Sequence, residues 1–306
     1  MPRIRYIDKN FQGSSLELID YADQICEEYM AEGYVLTLRQ LYYQLVARGL
    51  IPNNIRSYKR LGNVVSDARL AGLLDWKALE DRTRKSERLA LWNGPQDALD
   101  ALADQYHIDL WQGQETYVEV WVEKEALAAV VERACDAIDV RYLACKGYVS
   151  QSEMWGAGQR IARARKPHTV IFHLGDHDPS GIDMTRDIRD RLGMFTRNHV
   201  RARDLEIRRI ALNMDQIEEL DPPPNPAKTT DSRFWEYRKL FGDESWELDA
   251  LQPSYINDLI REHVMGVVNE GLFDEMKLRE QRQQEALQAI GEQWDDVVDF
   301  LGIEAE

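Results

Sequence analysis

Between residues 117 and 212, short apolar runs alternate with amphipathic stretches, and no other feature constrains the fold as much. The runs at 117–122, 140–144, 169–174 and 206–212 are rich in β-branched and aromatic residues, so each reads as a buried strand. The stretches between them, 124–138, 152–165 and 182–193, carry apolar residues at helical spacing. Repeated βα units predict an α/β fold, a mainly parallel sheet with helices on both faces. Ligands of such sheets bind beyond the carboxyl ends of the strands.

Those ends carry charge. The run Val170 to Leu174 stops at Gly175, and Asp176 and Asp178 follow at once. Their i, i+2 spacing puts both on one side of an extended chain. The first strand ends at Glu123, and the second ends in Lys146-Gly147-Tyr148. Three acids, Glu123, Asp176 and Asp178, from two strand ends form a cradle for Mg²⁺, which takes few carboxylates and keeps waters for phosphate oxygens. The alternative is capping, because Asp178 stands where a helix starts and so does Glu123. His173 and His177 flank the aspartates, but a histidine inside a strand is normally packed or hydrogen-bonded, so zinc is not expected.

Ahead of the sheet, helical spacing covers 14–32, 37–48 and 57–70, followed by Leu73-Leu74-Asp75-Trp76 and a charged stretch. Three short helices and a small extended arm have the layout of a winged helix-turn-helix, shared with other three-helix bundles. The third helix carries Lys59, Arg60 and Arg69, as a groove-reading helix would. On the second, Leu38, Leu41, Tyr42, Leu45 and Val46 form the core stripe, so Tyr42 is structural. Tyr43 falls outside the stripe, one turn from Arg39. An exposed phenol beside a guanidinium ionises more easily and can attack phosphorus; a plain surface tyrosine would show the same pattern.

Charge is uneven. Of 54 acids and 38 bases, 23 and 8 lie in 215–306, leaving 31 and 30 before them. Within the near-neutral part, Arg56, Lys59, Arg60, Arg69, Arg82, Arg84, Lys85 and Arg88 form one basic segment, and Arg160, Arg163, Arg165 and Lys166 another. Local field, not net charge, attracts phosphate, although solvated helix faces look alike in sequence. Asn93-Gly94-Pro95 and Gln112-Gly113 are breakers, and 222–226 is an extended proline-rich loop. The expected organisation is 1–93 for the helical unit, 94–115 as linker, 116–252 for the sheet and 253–306 as an acidic helical region. Three widely spaced cysteines indicate reduced thiols, no run approaches the ~18–20 apolar residues of a membrane span, and Met-Pro-Arg-Ile-Arg lacks a signal peptide's apolar stretch. A cytoplasmic, nucleoid-associated protein is expected.

In this order the motifs resemble a known family. Leu41-Tyr42-Tyr43, Val122-Glu123-Lys124-Glu125-Ala126, Cys145-Lys146-Gly147-Tyr148-Val149, Asp176-His177-Asp178-Pro179-Ser180-Gly181-Ile182 and Trp246-Glu247-Leu248-Asp249-Ala250-Leu251 look like those of the topoisomerase VI A subunit and the meiotic double-strand-break transesterase. The resemblance implies a winged helix followed by a Toprim domain, Tyr43 as nucleophile assisted by Arg39, and Mg²⁺ on Glu123, Asp176 and Asp178. It further implies double-stranded DNA as substrate, contacted by Lys59, Arg60, Arg69 and Lys146. The tyrosine of one protomer would face the metal of the other, so a homodimer cuts both strands. Because the chain carries no Gly-rich nucleotide motif, any ATPase subunit would be a separate protein. A Toprim nuclease using water, with Tyr43 a mere DNA contact, and a non-catalytic DNA-binding module are the alternatives.

Overall fold

A computed structural model describes residues 3–80, 91–197, 199–201 and 204–302. The chain opens with α1 (Gly13–Ala31), α2 (Leu38–Ala47) and α3 (Ile55–Leu70). Thr37 caps α2 in a reciprocal box with Gln40, and the Asn54 side chain caps α3 by accepting the Ser57 N–H. Ile25, Leu41, Leu45, Leu61 and Val65 belong to one core between these helices. The segment after α3 returns to it, where Leu79 bridges Leu36 in parallel. Residues 40–45 of α2 are all buried, because α1 and α3 cover one flank and Leu248–Ala250 cover another.

α4 (Pro95–Gln105) leads to β1 (Thr116–Val122), α5 (Ala128–Asp136), β2 (Arg141–Ala144), α6 (Gln151–Ala164), β3 (His168–Leu174), α7 (Pro179–Thr196) and β4 (Leu205–Ala211). The strands form one parallel sheet, as the βα alternation predicts, and their order is β2-β1-β3-β4. Val118, Val120 and Val122 join the core shared with α5, whereas Tyr117 and Trp121 join the one beneath α6 and α7. Burial of both faces explains why the strands read as nearly continuous apolar runs. The helix expected from 124 becomes regular only at Ala128, after a 3₁₀ turn at Glu125–Leu127. Glu123 N–H still pairs with Leu174 O at 2.9 Å, and Lys124 is drawn to carboxylates, so helical turns begin beyond both. The chain passes from β1 outward to β2, then crosses to β3 on the opposite side. The carboxyl ends of β1 and β3 therefore flank the topological switch point, where open α/β sheets bind ligands.

After β4 come α8 (Met214–Leu220), β5 (Asn225–Pro226), α9 (Phe234–Phe241), β6 (Glu244–Ser245), a 3₁₀ turn at Leu248–Ala250, α10 (Pro253–Met265), α11 (Glu270–Glu292) and α12 (Trp294–Leu301). β5 and β6 pair antiparallel, α10 packs on α5, and α11 runs beside α4. Among the described residues, no helix is long and apolar enough to cross a membrane.

His107 clamps this last pairing, with Nε2 2.8 Å from Asp139 and Nδ1 2.7 Å from Glu280 of α11. The Asp139 hydrogen bond outweighs burial and raises its pKa. A raised histidine stabilises fully below its unfolded pKa of ~6.5, and the contribution disappears as pH climbs through the folded value. Going from about pH 6 to about pH 9 should therefore lower the amide protection of α4 and α11, measured against the unfolded-chain rate at each pH, and His107→Gln should flatten that dependence. Unchanged pH dependence in the variant would show the clamp to be idle.

Candidate active site at the carboxyl edge of the sheet

Glu123 and Asp176 stand at the switch point, just past β1 and β3. Glu123 Oε2 accepts the Asp176 N–H at 2.9 Å. Asp176 Oδ1 accepts the Leu248 N–H at 2.8 Å, and its Oδ2 lies 2.9 Å from Lys124 Nζ. Both carboxyls titrate above their ordinary range. Burial is the main cause for each; the Asp176 charge adds to it at Glu123, and Lys124 partly offsets it at Asp176. Both line an open pocket of about 410 Å³, together with Arg39, Lys146, Lys228 and Glu247.

Asp178 spends one oxygen on the helix. Its Oδ1 accepts the Gly181 N–H at 2.7 Å and the Ser180 hydroxyl at 2.9 Å, capping α7. Capping was the open alternative in the sequence, and here it engages this carboxylate. α7 starts hard against the turn, since a Cβ on Gly181 would sit 2.2 Å from the Asp176 carbonyl oxygen.

Arg209 of β4 pins the turn from below. Its Nη2 donates to the carbonyls of Gly175, Asp176 and Leu212, and Nη1 to Gly181 O and Thr185 Oγ1. Burial lowers its pKa to about 10, against the pull of Glu123, Asp176 and Asp178. Its signal in the sequence is a pair of adjacent arginines inside a strand, one of which must face inward. Arg209→Leu should cost about 3–5 kcal/mol in denaturant unfolding, because buried carbonyls lose their donor. Arg209→Lys should recover less than half, since an ammonium cannot fork to both sides. A loss under about 1 kcal/mol would mean the turn holds itself.

The histidines are spent on packing. His173 Nδ1 lies 2.9 Å from Thr185 Oγ1, and burial, with Arg209 adding, pushes its pKa down to about 3. His177 Nδ1 lies 2.8 Å from Tyr237 Oη, between the rings of Phe241 and Trp246. Among the described residues, no three His, Cys, Asp or Glu side chains are gathered so as to hold a metal ion. Two acids suffice for a hard ion that keeps its waters. Glu123 and Asp176 fit that role, because the Asp176 charge hinders ionisation of Glu123 and a cation relieves that repulsion.

An ion network links this edge to α2. Lys124 Nζ reaches Asp176, Glu247 and Asp249 at 2.9, 2.6 and 2.6 Å. Arg39 pairs with the same Glu247, and with Asp249 at 2.8 Å. Burial opposes ionisation of Glu247, yet Lys124 and Arg39 outweigh it and hold that carboxyl low. Burial likewise opposes the charges on Lys124 and Arg39, and the carboxylates outweigh it. The motif at 246–251 stands out in the sequence, yet its spacing alone gives Glu247 and Asp249 no partner.

Tyr43 requires a correction. The exposed, readily ionised phenol expected from the helical wheel is instead buried, at 4 % exposure. A wheel sees only the helix's own core. Here the proline-rich loop covers the other flank, with Asn225 Nδ2 donating to Tyr43 Oη at 3.4 Å and Asn53 Nδ2 holding Pro224 O at 3.0 Å. Arg39 does stand 5.8 Å from the ring centroid. Burial first, then Glu247, nevertheless push the phenol's pKa up, and Arg39 offsets only part. Arg39 and Glu247 line both the pocket of Glu123 and Asp176 and a second chamber containing Tyr43, so the pair forms a wall between them.

The basic residues divide. Lys59 and Arg60 are exposed on α3, although Arg60 Nη2 also donates to Ser14 O at 3.0 Å. Arg69 is structural, donating to the carbonyls of Trp76 and Leu79 and lying over the Trp76 ring. Lys146 pairs with Glu125 at 2.6 Å on the pocket rim. Arg160 is bound to Glu119 and Glu153, and Lys166 donates to three carbonyls, which leaves Arg163 and Arg165 exposed in that cluster. Arg82, Arg84, Lys85 and Arg88 lie outside the described residues. Compared with known proteins, the chain matches no protein-family model and no curated protein.

Proposed function

We propose that the protein is a Mg²⁺-dependent DNA-cleaving transesterase of the topoisomerase VI A kind, with the three-helix unit as its winged helix and the sheet as its Toprim domain. One observation carries the reading: Arg39 and Glu247 line both the pocket of Glu123 and Asp176, at the switch point of a parallel sheet, and the pocket of Tyr43 from the helical unit. Glu123 and Asp176 would hold the ion, and Asp178 fixes the turn between them by capping α7. When bound, the ion neutralises phosphate oxygens and steadies the departing 3′ oxygen. Tyr43 Oη bonds to phosphorus as the bond to the 3′ oxygen breaks, and the phenolic proton ends on that oxygen. Arg39 over the ring favours the developing phenolate. Lys59, Arg60 and Lys146 meet the phosphates of double-stranded DNA. The active form is a homodimer, and a separate ATPase subunit would drive strand passage.

A suicide-substrate assay tests the reading. Wild-type protein with Mg²⁺ should leave a protein–DNA adduct that chelation prevents. Asp176→Ala should bind the DNA and leave it uncut; full cleavage by that variant would refute the ion's assignment. The buried, raised phenol favours one other reading, a Toprim nuclease in which water is the nucleophile. In that case DNA is cut with no adduct.

A further inference from the structure

The chamber that contains Tyr43 measures about 650 Å³, within the range of small-molecule sites. It is built from α2, the start of α3 and the proline-rich loop. Tyr42 stacks edge-on against Tyr43 at 5.2 Å and against Tyr58 at 5.3 Å, so three phenol rings share the lining. Several donors there are uncommitted. Asn54 spends Oδ1 on the Ser57 N–H, which leaves its Nδ2 free of any described bond. Tyr43 Oη accepts from Asn225, and its own proton has no described acceptor. Arg56 lies exposed at the mouth, without a described ion pair. Beside it, on the first turn of α3, Ile55 is 75 % exposed.

Arg39 and Glu247 pair on one wall of the chamber and offset each other, so no net charge there draws a phosphate in. Phenol rings with amide and hydroxyl donors suit a flat, uncharged heteroaromatic group, while the arginine at the mouth suits the phosphate attached to it. An exposed aliphatic side chain at the rim is the kind of wedge that parts stacked bases. We infer that this chamber takes an unstacked nucleobase of the bound DNA, with Ile55 as the wedge that displaces it and Arg56 on its phosphate. The inference rests on the DNA reading given above and deepens it, because a displaced base would seat the adjoining backbone beside Tyr43.

The experiment uses the full chain and short duplexes in which 2-aminopurine is moved along one strand. Anisotropy reads binding, and 2-aminopurine emission reads unstacking, in the same cuvette. With wild-type protein, emission at one position should rise several-fold. Ile55→Ser, which melts with the wild type because Ile55 is exposed, should lose at least half of that rise. Binding without brightening at any position overturns the inference and leaves the DNA reading standing. Full brightening with Ile55→Ser overturns the wedge. Should no duplex bind, the DNA reading itself falls, and deoxyguanosine monophosphate then decides the chamber. Saturation-transfer contacts that Tyr58→Leu abolishes would keep it as a nucleobase site, and their absence in wild-type protein would remove it.

Discussion

Tyr43→Phe is expected to abolish the covalent protein–DNA adduct and to lower cleavage at least a thousandfold, to roughly background, while the fold survives. The fold survives because the hydroxyl does little structural work. Its one described bond is the 3.4 Å contact from Asn225, whereas the ring keeps its 5.2 Å packing on Tyr42. The stability cost should therefore stay near 0.5–1.5 kcal/mol, roughly that of one neutral hydrogen bond. A gel assay for DNA retained on denatured protein measures the adduct. Cleavage by Tyr43→Phe at the wild-type rate, with no adduct from either protein, would hand the reaction to water. Mixing Tyr43→Phe with Asp176→Ala protomers then locates the nucleophile. If the tyrosine serves its partner's acids, each mixed dimer has one intact composite site and nicks a single strand. If it serves its own chain's acids, across the wall that Arg39 and Glu247 form, the mixture cuts nothing.

The α/β class was legible because it depends on periodicity within single segments. Val118, Val120 and Val122 alternate with Tyr117 and Trp121, and the sheet buries both sets. The placing of Glu123 and Asp176 at strand ends was legible for the same reason, since apolar runs lead into both, whereas the strand order that makes this edge a switch point was not. Relations between distant segments were not legible. Tyr43 was expected in solvent because nothing in α2 announces that residues 222–226 and Glu247 will lie across it. Arg69 resembled a groove-reading side chain because its real partners are backbone carbonyls, which sequence does not display. Asp178 was ambiguous because a cap and a metal ligand call for the same carboxylate, and only the 2.7 Å bond from Gly181 N–H shows the cap being made. Arg209 and Asp249 escaped notice because each is a charge buried by a fold that must first exist to pair it.

Lys124→Met should cost about 3–5 kcal/mol. One ammonium serves Asp176, Glu247 and Asp249 within 2.9 Å, and its side chain is only 17 % exposed. Methionine fills the same volume, so lost packing is small and the cost is electrostatic. The sign with pH follows from the partners. Lys124 is held above its ordinary value, so its contribution is constant through neutrality and declines only in strong base. Glu247 is held low, so its contribution is present above its unfolded pKa of ~4.3 and is lost as pH falls through the folded value. The gap between wild type and Lys124→Met in urea unfolding should thus be widest near neutral pH and should narrow as acid protonates the abandoned carboxylates. Millimolar Mg²⁺ should narrow it too, because a hard cation can stand in for the lost ammonium among these oxygens. Equal stability of the two proteins near neutral pH would mean that the network is too well solvated to matter. A gap that acid narrows and Mg²⁺ leaves untouched would keep the electrostatics and remove the case for a cation at Asp176.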